Sequence, residues 1–166
     1  MISTPRATGP LVIRTALPSE AAAIADLHVR ATYYPDGLPE DGFDWLERWR
    51  GAIERPDGHV LCAVRDGHLV GIASFRTAEG APADTVTLFQ FHVAPDRWRE
   101  GIGTALHTAC LEQWRADGKH TATLDVHVDN ARAQAFYTRQ GWVPDPENPP
   151  AEDDHHLFLR YAVTGE

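Results

Sequence analysis

Cysteine, basic charge and long apolar runs are all scarce in this chain, and each shortage removes a class of function. Two cysteines in 166 residues cannot build a disulfide framework or a thiolate metal cluster. Cys62 falls in an apolar run and Cys110 on the apolar stripe of a helical pattern, so both read as buried thiols rather than a disulfide, a metal pair or a nucleophile. Lys and Arg total 15 against 24 Asp and Glu, leaving a net charge of −9 at pH 7. That balance argues against nucleic acid or an anionic membrane as the main partner, because both favour a basic face. Apolar residues nowhere extend far enough to span a bilayer, and residues 1–10 lack the apolar run of a signal peptide, so the expected location is cytoplasmic. Repeats and low-complexity tracts are absent too. Nine histidines are present, with His155 and His156 following Asp153 and Asp154. No H-x-x-x-H or Cys–His spacing accompanies them, and neighbours on an extended chain point to opposite sides, so no metal is expected.

What is present fits one domain. A chain of this length with 43% hydrophobic residues can bury a substantial core, and residues 11–166 are expected to form it, preceded by a disordered segment at 1–10. Residues 11–17 read as a strand, and Pro18-Ser19-Glu20 opens a helix through Ile24, Leu27 and Ala31. A second helix is expected over 40–54, where Phe43, Leu46, Trp49 and Ile53 recur at helical spacing. Asp66-Gly67 between apolar runs at 60–65 and 69–76 signals a hairpin. Residues 85–93 read as a strand, followed by a helix from Gly101 that ends at Asp117-Gly118. Alternation over 121–128 predicts a half-buried strand, Asp129-Asn130 offers caps for a helix closing at Gly141, and 157–163 is the final strand. Residues 144–156, rich in proline and carboxylates, read as a loop. This order gives an α/β layer with helices on both sides of a mainly antiparallel sheet.

The stretch from Val93 to Leu106 is the most informative. A strand runs there into a turn bearing Gly101 and Gly103 that opens an amphipathic helix. The first N–H groups of a helix lack intrahelical partners and carry the positive end of its dipole, which suits a phosphate. Glycines without Cβ atoms let the ligand approach, and Arg97 and Arg99 offer charge-assisted hydrogen bonds. Taken alone, the glycines fit an ordinary helix start equally well. A dinucleotide fingerprint is excluded by Leu106 at its third glycine, and the hairpin at Asp66-Gly67 does not suit a parallel sheet.

A second segment sharpens the first. Asn130, Ala133, Phe136-Tyr137 and Gly141-Trp142 stand at the N-x-x-A-x-x-F-Y-x-x-x-G-[FW] spacing. Together with Phe91-His92-Val93-Ala94-Pro95 and the glycine turn, they resemble the GNAT superfamily of acyl-CoA-dependent N-acyltransferases. The turn departs from that family's [QR]-G-x-G-x-[GA] pattern, with Trp98 at the usual Arg or Gln and Arg99 at the first glycine. The resemblance implies a mixed, mostly antiparallel sheet with splayed strands at an acetyl-CoA site. It implies direct acetyl transfer to an amine, with no covalent acyl-enzyme and no metal. It further implies that backbone groups of Phe91, His92 and Val93 meet the pantetheine arm and the thioester, and that the turn Arg99, Glu100, Gly101, Ile102, Gly103 and Thr104 takes the pyrophosphate. Asn130 would face the pantetheine.

For catalysis the resemblance points to Tyr137, since a phenol held beside the departing thiolate can protonate it. Asp125 occupies the strand position at which several relatives acting on peptide amino-termini carry a catalytic glutamate. His92, His127 and a water chain are alternatives for the base, and alternation puts Asp125 and His127 on one strand face. The expected acceptor is a cationic amine of a small molecule or a peptide amino-terminus. Asp36, Glu40, Asp41 and Asp44, with Glu147, Glu152, Asp153 and Asp154, lie in segments that flank the entrance in such folds. Tyr33, Tyr34, Trp45 and Trp49 offer an aromatic wall, with helix packing as the other role of the two tryptophans. A homodimer is compatible with the resemblance. The alternative function is a catalytically idle module that binds an acyl-CoA.

Overall fold

Alternation in the strands and a 3.6-residue period in the helices sort the apolar side chains onto the two faces of one sheet. The computed structural model describes residues 9–32, 44–150, 153 and 155–163. In chain order the elements are β1 (Val12–Thr15), α1 (Ala21–Thr32), α2 (Trp45–Glu54), β2 (Gly58–Arg65), β3 (His68–Arg76), β4 (Thr85–Val93), α3 (Ile102–Ala116), β5 (Thr121–His127), α4 (Ala131–Gln140), β6 (Val143–Pro144) and β7 (His156–Ala162). The sheet order is β1-β2-β3-β4-β5-β7-β6. Every neighbouring pair is antiparallel except β4 and β5. This is the mixed α/β architecture expected from the patterning.

The local chemistry explains the boundaries. Asp66 and Gly67 take φ of 55° and 77°, the two left-handed positions of a tight hairpin turn. Gly141 closes α4 at φ 105°. Asp44 caps α2 by accepting the Glu47 N–H, so that helix begins at Trp45. Its expected first residues, 40–43, lie outside the described residues, as do 1–8. The strand β6 is an addition to the expected elements. It is two residues long and contains a proline, so it carries no periodic signal, yet it pairs with Leu159 and Arg160 of β7.

Two cores result. Leu106, Cys110 and Trp114 of α3 and Tyr137 of α4 pack on Leu61, Ala73, Phe75, Val86, Leu88, Leu124 and Val126. On the opposite face, Ile24, Leu27 and Trp49 pack on Val60, Cys62 and Ile72. Each core holds one buried tryptophan–histidine hydrogen bond, Trp142 Nε1 donating to His107 Nε2 and Trp49 Nε1 to His28 Nδ1, both at 2.9 Å. Burial lowers both imidazoles to about 4, which keeps them neutral and able to accept. Cys62 and Cys110 are free and buried, and burial pushes their thiols up to about 11 and about 12. No helix among the described residues is long and apolar enough to cross a membrane.

Candidate active site

The parallel pairing of β4 with β5 is short. It joins Thr85, Val86 and Thr87 to Thr121, Ala122 and Thr123 and stops there. Beyond that point β4 continues only with β3, and β5 only with β7. A bulge between Ser74 and Phe75 in the β3–β4 register leaves Phe89 unpaired and bends β4 away. The two strands therefore separate from residue 88 onward. Ala94 N–H donates to Val70, so by strand alternation the backbone groups of Phe91 and Val93 face the opening rather than β3. The Val93 carbonyl accepts Trp98 Nε1 at 3.1 Å. His92, by contrast, pairs with Ile72 and turns its ring to the other face, bonded to Gln90 at 2.7 Å and stacked on His28 at 4.6 Å. Burial and the neighbouring His28 lower it to about 3. The His92 ring thus lies against α1, on the same face of the sheet as Asp125, and is held neutral by its burial.

The opening ends at the N-terminus of α3. That helix starts at Gly101 (φ 81°) with no side-chain cap, and its first internal bond is Ala105 N–H to the Gly101 carbonyl. The N–H groups of Ile102, Gly103 and Thr104 are left pointing outward, whereas α2 and α4 are capped by Asp44 and Asn130. Ile102 itself is buried, so it offers backbone only. The two glycines do different work. A Cβ on Gly101 would meet open space, while one on Gly103 would lie 3.2 Å from Phe136 Cε1 and 3.7 Å from Val93. A side chain at Gly103 would thus crowd α4 as well, a packing reason for glycine that adds to the expected clearance for a ligand. Glu100 turns its carboxylate to Arg65 (3.4 Å) and Arg97 (3.6 Å).

From α4, Tyr137 packs beside Phe91 of β4. It is 7% exposed, with Phe91, Phe136 and Trp142 rings 5.5–6.2 Å away. Burial, then the Cys110 and Asp125 charges, raise its phenol above the ordinary value, so it holds its proton at neutral pH. Asn130 caps α4 by accepting Ala133 N–H at 3.1 Å. Gln134 fixes the turn before it through the His127 and Val128 carbonyls.

On the other side of the sheet Asp125 Oδ2 meets His156 Nδ1 at 2.9 Å. In the sequence His156 was weighed only as a metal ligand, not as a partner of Asp125. Its partner on β5 by register is His127, and only the antiparallel pairing of β5 with β7 sets it diagonally against Asp125. The His127 Nδ1 accepts Asp129 N–H at 3.1 Å and its ring lies 5.5 Å from that of His156.

Comparison with known proteins now decides the family. The model of the acetyltransferase (GNAT) family matches residues 21–142. The chain belongs to this family. Mycothiol acetyltransferase of Streptomyces coelicolor is 30% identical over 141 residues, covering 84% of this chain but 45% of that protein. The chain thus spans less than half the length of that relative. Among solved structures, the ribosomal-protein-S18-alanine N-acetyltransferase of Escherichia coli superposes with a TM-score of 0.73 at 20% identity, covering 95% of this chain and 96% of that one. The acetyltransferase yncA of Salmonella typhimurium, solved with acetyl-CoA, gives 0.72 at 20% identity, with the same coverage.

Against the GNAT turn pattern, Arg99 now has a physical meaning. It takes φ 72°, so the left-handed backbone that the family's first glycine suits is retained with an arginine in its place. On the face of α1 and α2 a cavity of about 430 Å³ is lined by Trp45, Trp49, Ser74, Arg76, Phe89 and Gln90. Trp49 is mainly a packing residue, buried and bonded to His28. Tyr33, Tyr34, Asp36, Glu40, Asp41, Glu152 and Asp154 lie outside the described residues.

Proposed function

We propose that this protein transfers an acetyl group from acetyl-CoA directly to a primary amine, of a small molecule or a peptide amino-terminus. One observation carries the reading: the opening between β4 and β5 leads from an uncapped helix N-terminus to a buried phenol. The residues present fit the co-substrate. Three free N–H groups at the positive end of α3 suit a pyrophosphate, and the inward backbone of Phe91 and Val93 suits an extended amide-bearing arm. The Val93 N–H is the donor for the thioester oxygen as negative charge develops there. The Val93 carbonyl is already engaged by Trp98, so pairing with the arm falls mainly to Phe91.

The transfer forms an amide bond from the amine nitrogen and breaks the carbon–sulfur bond of the thioester. An ammonium with a pKa near ~10 must first lose a proton. Asp125 with His156 is the candidate acceptor for that proton, at 2.9 Å from one another and on the sheet face from which the amine approaches. Tyr137 protonates the leaving thiolate and is restored by the second proton that the attacking nitrogen sheds as the amide forms. Its raised pKa does not oppose this, because the same dry surroundings penalise the thiolate as well. The net charge of −9 favours approach of an acceptor in its cationic form. A mycothiol acetyltransferase and an S18-alanine N-acetyltransferase among the similar proteins support amine acetylation as the reaction class.

The test is thiol release from acetyl-CoA, followed across a panel of small amines, amino acids and amino-terminal peptides. Amine-dependent release with at least one class is expected. Tight acetyl-CoA binding with no amine-dependent release across the panel would instead favour the idle acyl-CoA module.

A further inference from the structure

We infer that Arg99, Arg132 and Arg139 form a second phosphate site, which recognises the terminal 3′-phosphate of coenzyme A apart from the helix N–H groups that take its pyrophosphate. The inference rests on the acetyl-CoA reading above. Its starting point is Trp98, where the turn departs most from its family. The indole is fixed at one end by its bond to the Val93 carbonyl, and on its face lies Arg132, with Cζ 3.2 Å from the ring centroid. A guanidinium held over a ring face keeps N–H donors free at its edge, where a tetrahedral oxyanion can take two of them.

Two more arginines join it. Arg139 stands seven residues along α4, on the same helix face. Arg99 projects from the left-handed position beside the uncapped end of α3. The charges of Arg99 and Arg139 both act on Arg132 and, after burial, lower its pKa, with no carboxylate among the groups acting on it. Among the described residues none of the three forms an ion pair. The nearest acid in sequence, Glu100, is engaged by Arg65 and Arg97 instead.

Gathering like charges without a counter-ion costs free energy, and in a chain of net charge −9 it runs against the overall composition. A phosphomonoester, carrying between one and two negative charges near neutral pH, offsets that cost better than any single carboxylate does. The N–H groups of residues 102–104 already provide for the pyrophosphate. The arginines, two of them on a different helix, provide for a separate phosphate.

Calorimetric titration with coenzyme A and with 3′-dephospho-coenzyme A tests this, because the second ligand keeps the pyrophosphate and lacks only the terminal phosphate. The unmodified protein is expected to bind coenzyme A roughly 10-fold or more tightly than the dephospho form. Arg132→Gln and Arg139→Gln should each bring that ratio toward unity while leaving affinity for the dephospho form within about 2-fold. Arg132→Lys, which keeps the charge and loses the planar stack, should retain part of the preference. Among the described residues Arg139 stacks on no ring, so its variant separates charge from any disturbance of the Trp98 stack. Equal affinities of the unmodified protein for the two ligands would overturn the inference. So would a parallel loss for both ligands in the variants, which would assign the arginines to the pyrophosphate. Failure to bind either ligand would overturn the acetyl-CoA reading itself, and this inference with it. In the first two cases the dephospho form still binds, so the failures are distinguishable.

Discussion

Acidification from about pH 7.5 to about pH 5 should destabilise the fold through His107, by an amount the structure sets. The imidazole is 2% exposed, ringed by Phe91, Phe136, Trp114, Trp142 and Tyr161. Its Nε2 accepts the Trp142 indole proton. Protonation would place a charge in that cage and leave a buried indole N–H without its acceptor. Burial holds the folded-state pKa at about 4 against an ordinary 6.5, so between those values the unfolded chain carries the extra proton. Stability is therefore full above pH 6.5 and falls as pH drops toward 4. At pH 5 the linkage amounts to about 2 kcal/mol, or about 4–8 °C in Tm for a chain of this size. His28 and His92 add similar losses as a stacked pair, so the assay must isolate His107. Thermal melts of the unmodified protein and of His107→Gln, whose amide oxygen can still accept, should be compared at both pH values. The change with pH in each protein cancels any baseline loss from the substitution. The variant should lose about 2 kcal/mol less on acidification than the unmodified protein. An identical acid response in the two would refute the reasoning.

The remaining predictions concern the turn and the base. Arg99→Gly removes a side chain from a left-handed position (φ 72°) and should raise stability by about 1 kcal/mol in a chemical melt. Gly103→Ala pushes a methyl group to 3.2 Å from Phe136 and should cost about 1–2 kcal/mol, with weaker acetyl-CoA binding in the same preparation. His156→Gln and Asp125→Asn should each lower kcat/KM near neutral pH by about 10²-fold, and an unchanged kcat/KM in either variant would remove that residue from the proton transfer.

Legibility from sequence followed the range of the interactions. The hairpin at Asp66-Gly67, the uncapped start of α3 and the Asn130 cap depend on neighbours within four residues, and each stands where the residue chemistry put it. The mixed sheet was legible because strand alternation and helix periodicity both survive in one chain. What was not legible depends on strands meeting across the sheet. Asp125 faces His156 only because β5 pairs with β7 in one register. His92 shares its strand with Phe91 and Val93, but its stack on His28 arises only because α1 packs on that face of the sheet. The packing reason for Gly103 lies 33 residues away at Phe136, and no local pattern encodes that contact. Arg99 in a glycine's place read as a departure. Its φ instead preserves the backbone and adds a cation beside Arg132.

The central claim is that the buried phenol of Tyr137 serves the transfer chemistry at the end of the β4–β5 opening. Tyr137→Phe removes only the hydroxyl and keeps the ring that packs with Phe91, Phe136 and Trp142. With an amine found active in the thiol-release panel, kcat should fall by about 10²-fold or more while the KM for acetyl-CoA stays within about 2-fold. An unchanged kcat would contradict the account and remove Tyr137 as the acid.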